Sequence, residues 1–176
     1  MTLPARKRLI LENVRSADPE VGRWLSAMDD ARQRTLGVLD GISEGEVERT
    51  PPAGGSSPGT LLYHVAAIEA DWLFVDILGP ESGRDWPAAL FPFDVRDEAG
   101  ALQAVRGVSL ADHLARLDAT RAMLLDSLQG MTGEDFDRPR SREEYDVSPA
   151  WVIHHLMQHE AEHRDQIAAL LGHPAG

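Results

Sequence analysis

Apolar residues recur at helical spacing in four separate stretches of this chain, and no strand-like alternation competes with them. The first stretch spans residues 19–40, where Val21, Trp24, Leu25, Met28, Leu36 and Leu39 share a face and Gly41 supplies a stop. The second follows a stretch rich in Pro, Gly and Ser at residues 50–59. Its stripe is Leu61, Leu62, Val65, Ile68, Trp72 and Val75, and it closes at Gly79-Pro80. Ser109 caps the third, with Asp112 in the capping-box position and Leu110, Leu114, Leu117, Leu124 and Leu128 leading to Gly130. Ser148-Pro149 opens the fourth, because Ser accepts from first-turn amides and Pro is tolerated at the first helical position. Its apolar spacing lasts to Gly172. Four such stripes are buried most simply against one another, so the expected class is all-α, an antiparallel four-helix bundle.

The 176 residues suffice for one continuous core, and a single domain over residues 1–176 is expected. Residues 80–108 carry Trp86, Phe91 and Phe93 among prolines and glycines, and a connection so long and aromatic is expected to cover a pocket. Residues 131–147 read as loop.

Charge and composition narrow the function. Against 29 Asp+Glu stand 17 Lys+Arg, a formal charge of −12 without a dense basic stripe, which argues against a nucleic-acid partner. No run approaches the roughly 18 apolar residues of a membrane span, and the first twenty residues lack a signal core, so a cytoplasmic location is expected. There is no cysteine, so a bound metal must be held by nitrogen and oxygen, and any thiol chemistry needs a thiol from outside.

The fourth helix contains His155, His159 and His163, spaced by four and so within about 80° on one face. Two histidines four apart can converge on one ion, and His64, on or beside the apolar face of the second helix, is the natural third ligand. Three ligands leave one coordination position open, as catalytic sites do. The alternative at this point is a solvated polar face with His64 satisfied in the core. Residues 159–163 also match H-E-x-x-H, the metalloprotease pattern, but only thirteen residues follow His163 to supply a further ligand. His113 and His173 read as exposed or capping residues, and His154 points away from the His159 face.

The stretch Leu61-Leu62-Tyr63-His64-Val65-Ala66-Ala67-Ile68-Glu69-Ala70-Asp71-Trp72 resembles the second-helix motif of the DinB-like superfamily, particularly its mycothiol-transferase-like branch. The last-helix signature is matched by His155, His159, His163, Arg164, Gln166 and Ile167, with Asp165 standing where the family usually has Gly. Residues 39–47 and the approach to the second helix are similar as well. The resemblance implies an up-down-down-up four-helix bundle, often a homodimer, with zinc or nickel held by His64, His159 and His163. His155 then lies beside the ion or serves as an alternate ligand. It also implies transfer or isomerisation reactions that use low-molecular-weight thiols such as mycothiol or bacillithiol.

The leading expectation is therefore a metal-dependent thiol transferase acting on a small-molecule thiol and an electrophile. A hydrolase using activated water and a non-catalytic metal-binding stress protein are the alternatives. Glu160 and Arg164 are the catalytic candidates beside the ligands, and Glu69 or Glu162 can orient an imidazole or relay a proton. Arg34 is a candidate to bind a carboxylate of the thiol cosubstrate or the substrate. Trp24, Leu62, Trp72 and Trp151 are expected in core or dimer packing, whereas Trp86, Phe91 and Phe93 are expected to line a pocket.

Overall fold

Short polar side chains set the helix starts. Asp18 accepts from the amides of Glu20 and Val21, Ser57 from Thr60, Ser109 from Asp112 and Ser148 from Trp151, each satisfying an otherwise unpaired first-turn donor. In the computed structural model, which describes residues 9–12 and 15–173, these caps open α1 (Pro19–Val38), α3 (Pro58–Asp71), α4 (Leu110–Leu128) and α6 (Pro149–Leu171). Short helices α2 (Glu44–Val47) and α5 (Gly133–Asp137) lie in the connections. Gly172, at φ 73°, ends α6 in the left-handed conformation that glycine adopts without strain.

Cross-helix contacts give the topology. The Arg121 side chain on α4 reaches the Met28 carbonyl of α1, and Arg32 reaches Leu117, so α1 and α4 are antiparallel. Gly59 lies against His113, and Glu69 bonds Arg121, so α3 and α4 run parallel. His64 meets His159, and Trp72 meets Trp151, so α6 is antiparallel to α3. The all-α bundle is thus up-down-down-up, and residues 80–108 carry the chain back along it.

The two larger of three apolar clusters among the described residues fill most of the interior. One holds Leu25, Met28, Leu73, Leu124, Leu128, Phe136, Val152 and Ile153, and the other Leu39, Leu61, Leu62, Leu117 and Ile167. Each such side chain contributes about 1.5–3 kcal/mol on full burial. Leu62 is therefore a core residue as expected. No helix among the described residues is long and apolar enough to cross a membrane.

The connections differ from expectation in three places. Residues 131–147, read as loop, contain α5 and a two-residue antiparallel pair, β1 (Arg140–Ser141) with β2 (Asp146–Val147). These elements are too short to leave a periodic pattern, and the buried Phe136 anchors them to the core. The second stripe passes into a π-helix over Trp72–Leu78 before Gly79. The aromatics of residues 80–108 pack on the body of the bundle. Phe91 and Phe93 meet Tyr63 edge to face, Trp86 meets Phe74 and Phe91, and the Tyr63 hydroxyl donates to the Phe93 carbonyl at 2.6 Å.

Candidate metal centre

Antiparallel packing of α3 on α6 brings His64 opposite His159 and His163. The Nε2 atoms of His64 and His159 lie 3.2 Å apart, and those of His159 and His163 3.1 Å apart. One nitrogen cannot form an ordinary hydrogen bond to two such neighbours unless at least one carries a proton suited to it. Two nitrogens each bound to one tetrahedral ion at about 2.0–2.1 Å are about 3.3 Å apart, close to the spacing here. One ligand atom from each ring lies within 4.8 Å of the others. The donor set therefore fits a divalent ion that favours imidazole.

Burial, more than any charge, disfavours protonation of His64 and His159, and the neutral ring is the form that offers a lone pair. Burial, then the charges of His163 and Arg96, pull His64 down to about 4. Burial and the adjacent imidazoles pull His159 down to about 3. His163 Nδ1 is 2.9 Å from Gln166 Oε1, so a proton on Nδ1 donates to the amide and leaves Nε2 as the free acceptor. The His64 Nδ1 atom is buried without a hydrogen-bond partner among the described residues. Beside His163 opens a cleft of about 520 Å³, walled by Pro51, Leu61, Leu102, Gln166 and Leu170.

A profile of the DinB superfamily matches residues 27–167, from α1 to near the end of α6, and so includes all three histidines. The chain belongs to the DinB superfamily. No curated protein matches it.

The other candidate residues of this DinB-superfamily chain fall into distinct settings. Glu160, one residue after His159, is turned into the core. Its Oε1 accepts from Arg32 Nε and its Oε2 from Arg121, both at 2.8 Å. Glu69 accepts from the same two guanidinium groups, and all four residues are 5% exposed or less. Burial alone would raise Glu160, but the charges of Arg32 and Arg121 overcome it and hold the carboxyl below its usual range. The H-E-x-x-H carboxylate is therefore committed to a four-charge network. Arg164 is largely covered and lies 3.5 Å from Asp165. Arg34 stands on the exposed side of α1, paired with Asp30 at 2.8 Å.

Sequence reasoning missed Arg32 and Arg121. Their signal was present, since Arg32 follows Met28 by four and Arg121 follows Leu117 by four, placing both on core stripes opposite Glu69 and Glu160. His113 corrects an expectation: it is buried against Gly59, with its Nδ1 3.4 Å from Arg116, because α4 packs its first turns on the start of α3. His173 and His154 are exposed, as expected. His155 stands outside the triad, stacked on Trp151 with ring planes 7° apart. Trp72 packs against the core with one side, as expected, and lines an open cleft with the other, whereas Trp151 is half exposed on that cleft.

Proposed function

We propose that this DinB-superfamily protein is a metal-dependent enzyme that transfers a low-molecular-weight thiol, such as mycothiol or bacillithiol, to an electrophile. Zinc or nickel would be held by His64, His159 and His163. The observation that carries this reading is the convergence of three imidazole nitrogens at 3.1 and 3.2 Å beside an open cleft. A divalent ion, when bound, supplies a Lewis acid that lowers the pKa of a coordinated thiol or water. The chain has no cysteine, so the nucleophilic sulfur would come from the cosubstrate.

The protein's own residues hold and shape the site. Gln166 fixes the tautomer of His163 through its amide oxygen. Pro51, Leu61, Leu102 and Leu170 give the cleft apolar walls, and its volume of about 520 Å³ lies in the range of small-molecule sites. Arg164, next to His163, is our candidate for a carboxylate of the thiol, because among the described residues its guanidinium has only a long contact to Asp165. We assign Glu160 to positioning, since both of its oxygens are taken by arginines.

The test is metal content by mass spectrometry on protein purified without a polyhistidine tag, together with thiol-dependent conjugation of 1-chloro-2,4-dinitrobenzene. We expect about one metal per chain, lost in His64→Ala and His159→Ala along with conjugation. Failure to take up zinc or nickel would overturn the reading. Turnover of ester substrates in thiol-free buffer would instead favour activated water.

A further inference from the structure

The row of rings along α6 does not end at the triad. Four residues before His159, His155 lies with its ring 6.1 Å from that of His159. One turn further, Trp151 stacks on His155 at 5.1 Å, and Trp72 approaches both Trp151 and His155, at 5.4 and 5.0 Å. Beside these rings lies a second cleft of about 520 Å³, walled by Trp72, Tyr145, Trp151 and Val147 with Asp146 at its side. Trp151 is 49% exposed and Tyr145 46%, so the cleft presents large aromatic faces to solvent.

The rings are held where they are by other groups. The Tyr145 hydroxyl donates to Asp76 Oδ1 at 3.0 Å, and Asp76 is itself buried at the π-helix that begins with Trp72. Arg142 is tied to the same Asp76, through its carboxylate and its backbone carbonyl, and to the Ser141 carbonyl. Its charge is thereby offset beside the cleft. Asp146 accepts from the Ser141 hydroxyl at 2.6 Å and has no ion-pair partner among the described residues, so the wall carries a carboxylate that no cation answers. Aromatic faces attract cations, and a carboxylate at the rim adds to that attraction.

We propose that this cleft is a second ligand site, taking a flat aromatic ring that bears positive charge between Trp72, Tyr145 and Trp151, with Asp146 as its counter-charge. The site is independent of the metal centre.

Isothermal titration calorimetry with 1-methylquinolinium as the probe tests this, with 1-naphthalenesulfonate as a probe of the same ring size and opposite charge. We expect saturable binding of the cation at one site and weaker binding of the anion. Trp151→Ala should weaken the cation by about tenfold. Trp151 is half exposed, so its truncation leaves the core intact, and Tyr145→Leu should reproduce the loss independently. Asp146→Asn should narrow the preference for the cation, and removing metal with a chelator should leave binding unchanged, which separates this inference from the proposed function. No saturable binding, binding as tight as the parent's in both aromatic variants, an anion bound as tightly as the cation, or an unchanged preference in Asp146→Asn would overturn it.

Discussion

Arg121→Met removes the most connected member of the buried charge network. Arg121 Nε donates to Glu69 Oε1 at 2.9 Å, Nη2 to Glu69 Oε2 and Glu160 Oε2 at 2.8 Å each, and Nη1 to the Met28 carbonyl at 2.8 Å. Without it, two carboxylates share the single guanidinium of Arg32, and one negative charge is left without compensation inside the bundle. Breaking a buried pair in this way costs about 3–5 kcal/mol. Total stability is about 5–15 kcal/mol for ordinary domains. At about 2–4 °C per kcal/mol for a chain of this size, Tm should fall by about 6–20 °C. Urea unfolding at pH 7 measures the loss, with Arg34→Met as an exposed control expected within about 1 kcal/mol of the parent. Adding Glu69→Gln to Arg121→Met should restore more than about 1 kcal/mol, because it removes the surplus charge. The pH dependence has a definite sign. In the parent, Glu160 is held below its usual range, so its contribution is present above the ordinary carboxyl pKa of about 4.3 and is lost as pH falls through the lower folded value. In the variant protonation relieves repulsion, so the gap should narrow below about pH 5. A variant within 1 kcal/mol of the parent at pH 7, or a gap that widens in acid, would refute the reasoning.

Two further perturbations probe the packing of α3 on α4. A Cβ added at Gly59 would lie 2.9 Å from His113 Nε2, 3.0 Å from Val47 Cγ1 and 3.2 Å from the Val47 carbonyl oxygen, so Gly59→Ala should lose about 1–3 kcal/mol by chemical unfolding. Gly37→Ala, on α1 with nothing within 4 Å, should gain about 0.4–1 kcal/mol; a gain at both positions would show that the Gly59 contact is not tight. Burial, then the Arg116 charge, pulls His113 down to about 4, so the unfolded chain takes up this proton first as pH falls. Stability linked to His113 is full above about pH 6.5 and falls by about 1.4 kcal/mol per pH unit toward pH 4. His113→Asn should therefore flatten the parent's acid slope by that amount, and parallel slopes would count against a neutral buried ring.

The helices were legible because each carries a cap, a stripe and a stop. Ser148, Pro149 and Gly172 bound α6 at the expected residues, and the spacing of His159 and His163 put two ligands of the candidate site on one face. The pairing of those residues with His64 was legible only through the apolar setting of α3 and the family resemblance, since nothing local encodes the antiparallel contact. Periodicity also could not report the π-helix at Trp72–Leu78, whose wider turn departs from the helical repeat and leaves Val75, counted in the stripe, 47% exposed. The buried state of His113 was hidden because its neighbours Asp112 and Ala111 read as an exposed first turn, and only Gly59, from a distant helix, shows why the ring turns inward. Glu69 and Glu160 looked like solvated helix charges because a single stripe does not display the opposing arginines on two other helices.

That network and the triad are geometrically joined. Glu160 follows His159 by one residue, about 100° around α6, and Glu69 follows His64 by five, about 140° around α3. The helices that present imidazoles to each other therefore present carboxylates inward, to Arg32 from α1 and Arg121 from α4. All four helices are tied at the level of the triad, and the spacing of α3 and α6 that sets the 3.2 Å contact between His64 and His159 rests on this neutral set of charges. Glu160→Gln keeps the size of the side chain but leaves the arginines with one carboxylate. On the metal-dependent reading, it should weaken zinc by about tenfold or more in competition with a chromogenic chelator, although it touches no ligand atom. The measurement must be made on protein that retains its parent helical signal, so that lost metal is not simply lost fold. Parent-like zinc affinity in a folded Glu160→Gln would show that the network only stabilises the bundle and that the triad keeps its geometry from α3–α6 packing alone.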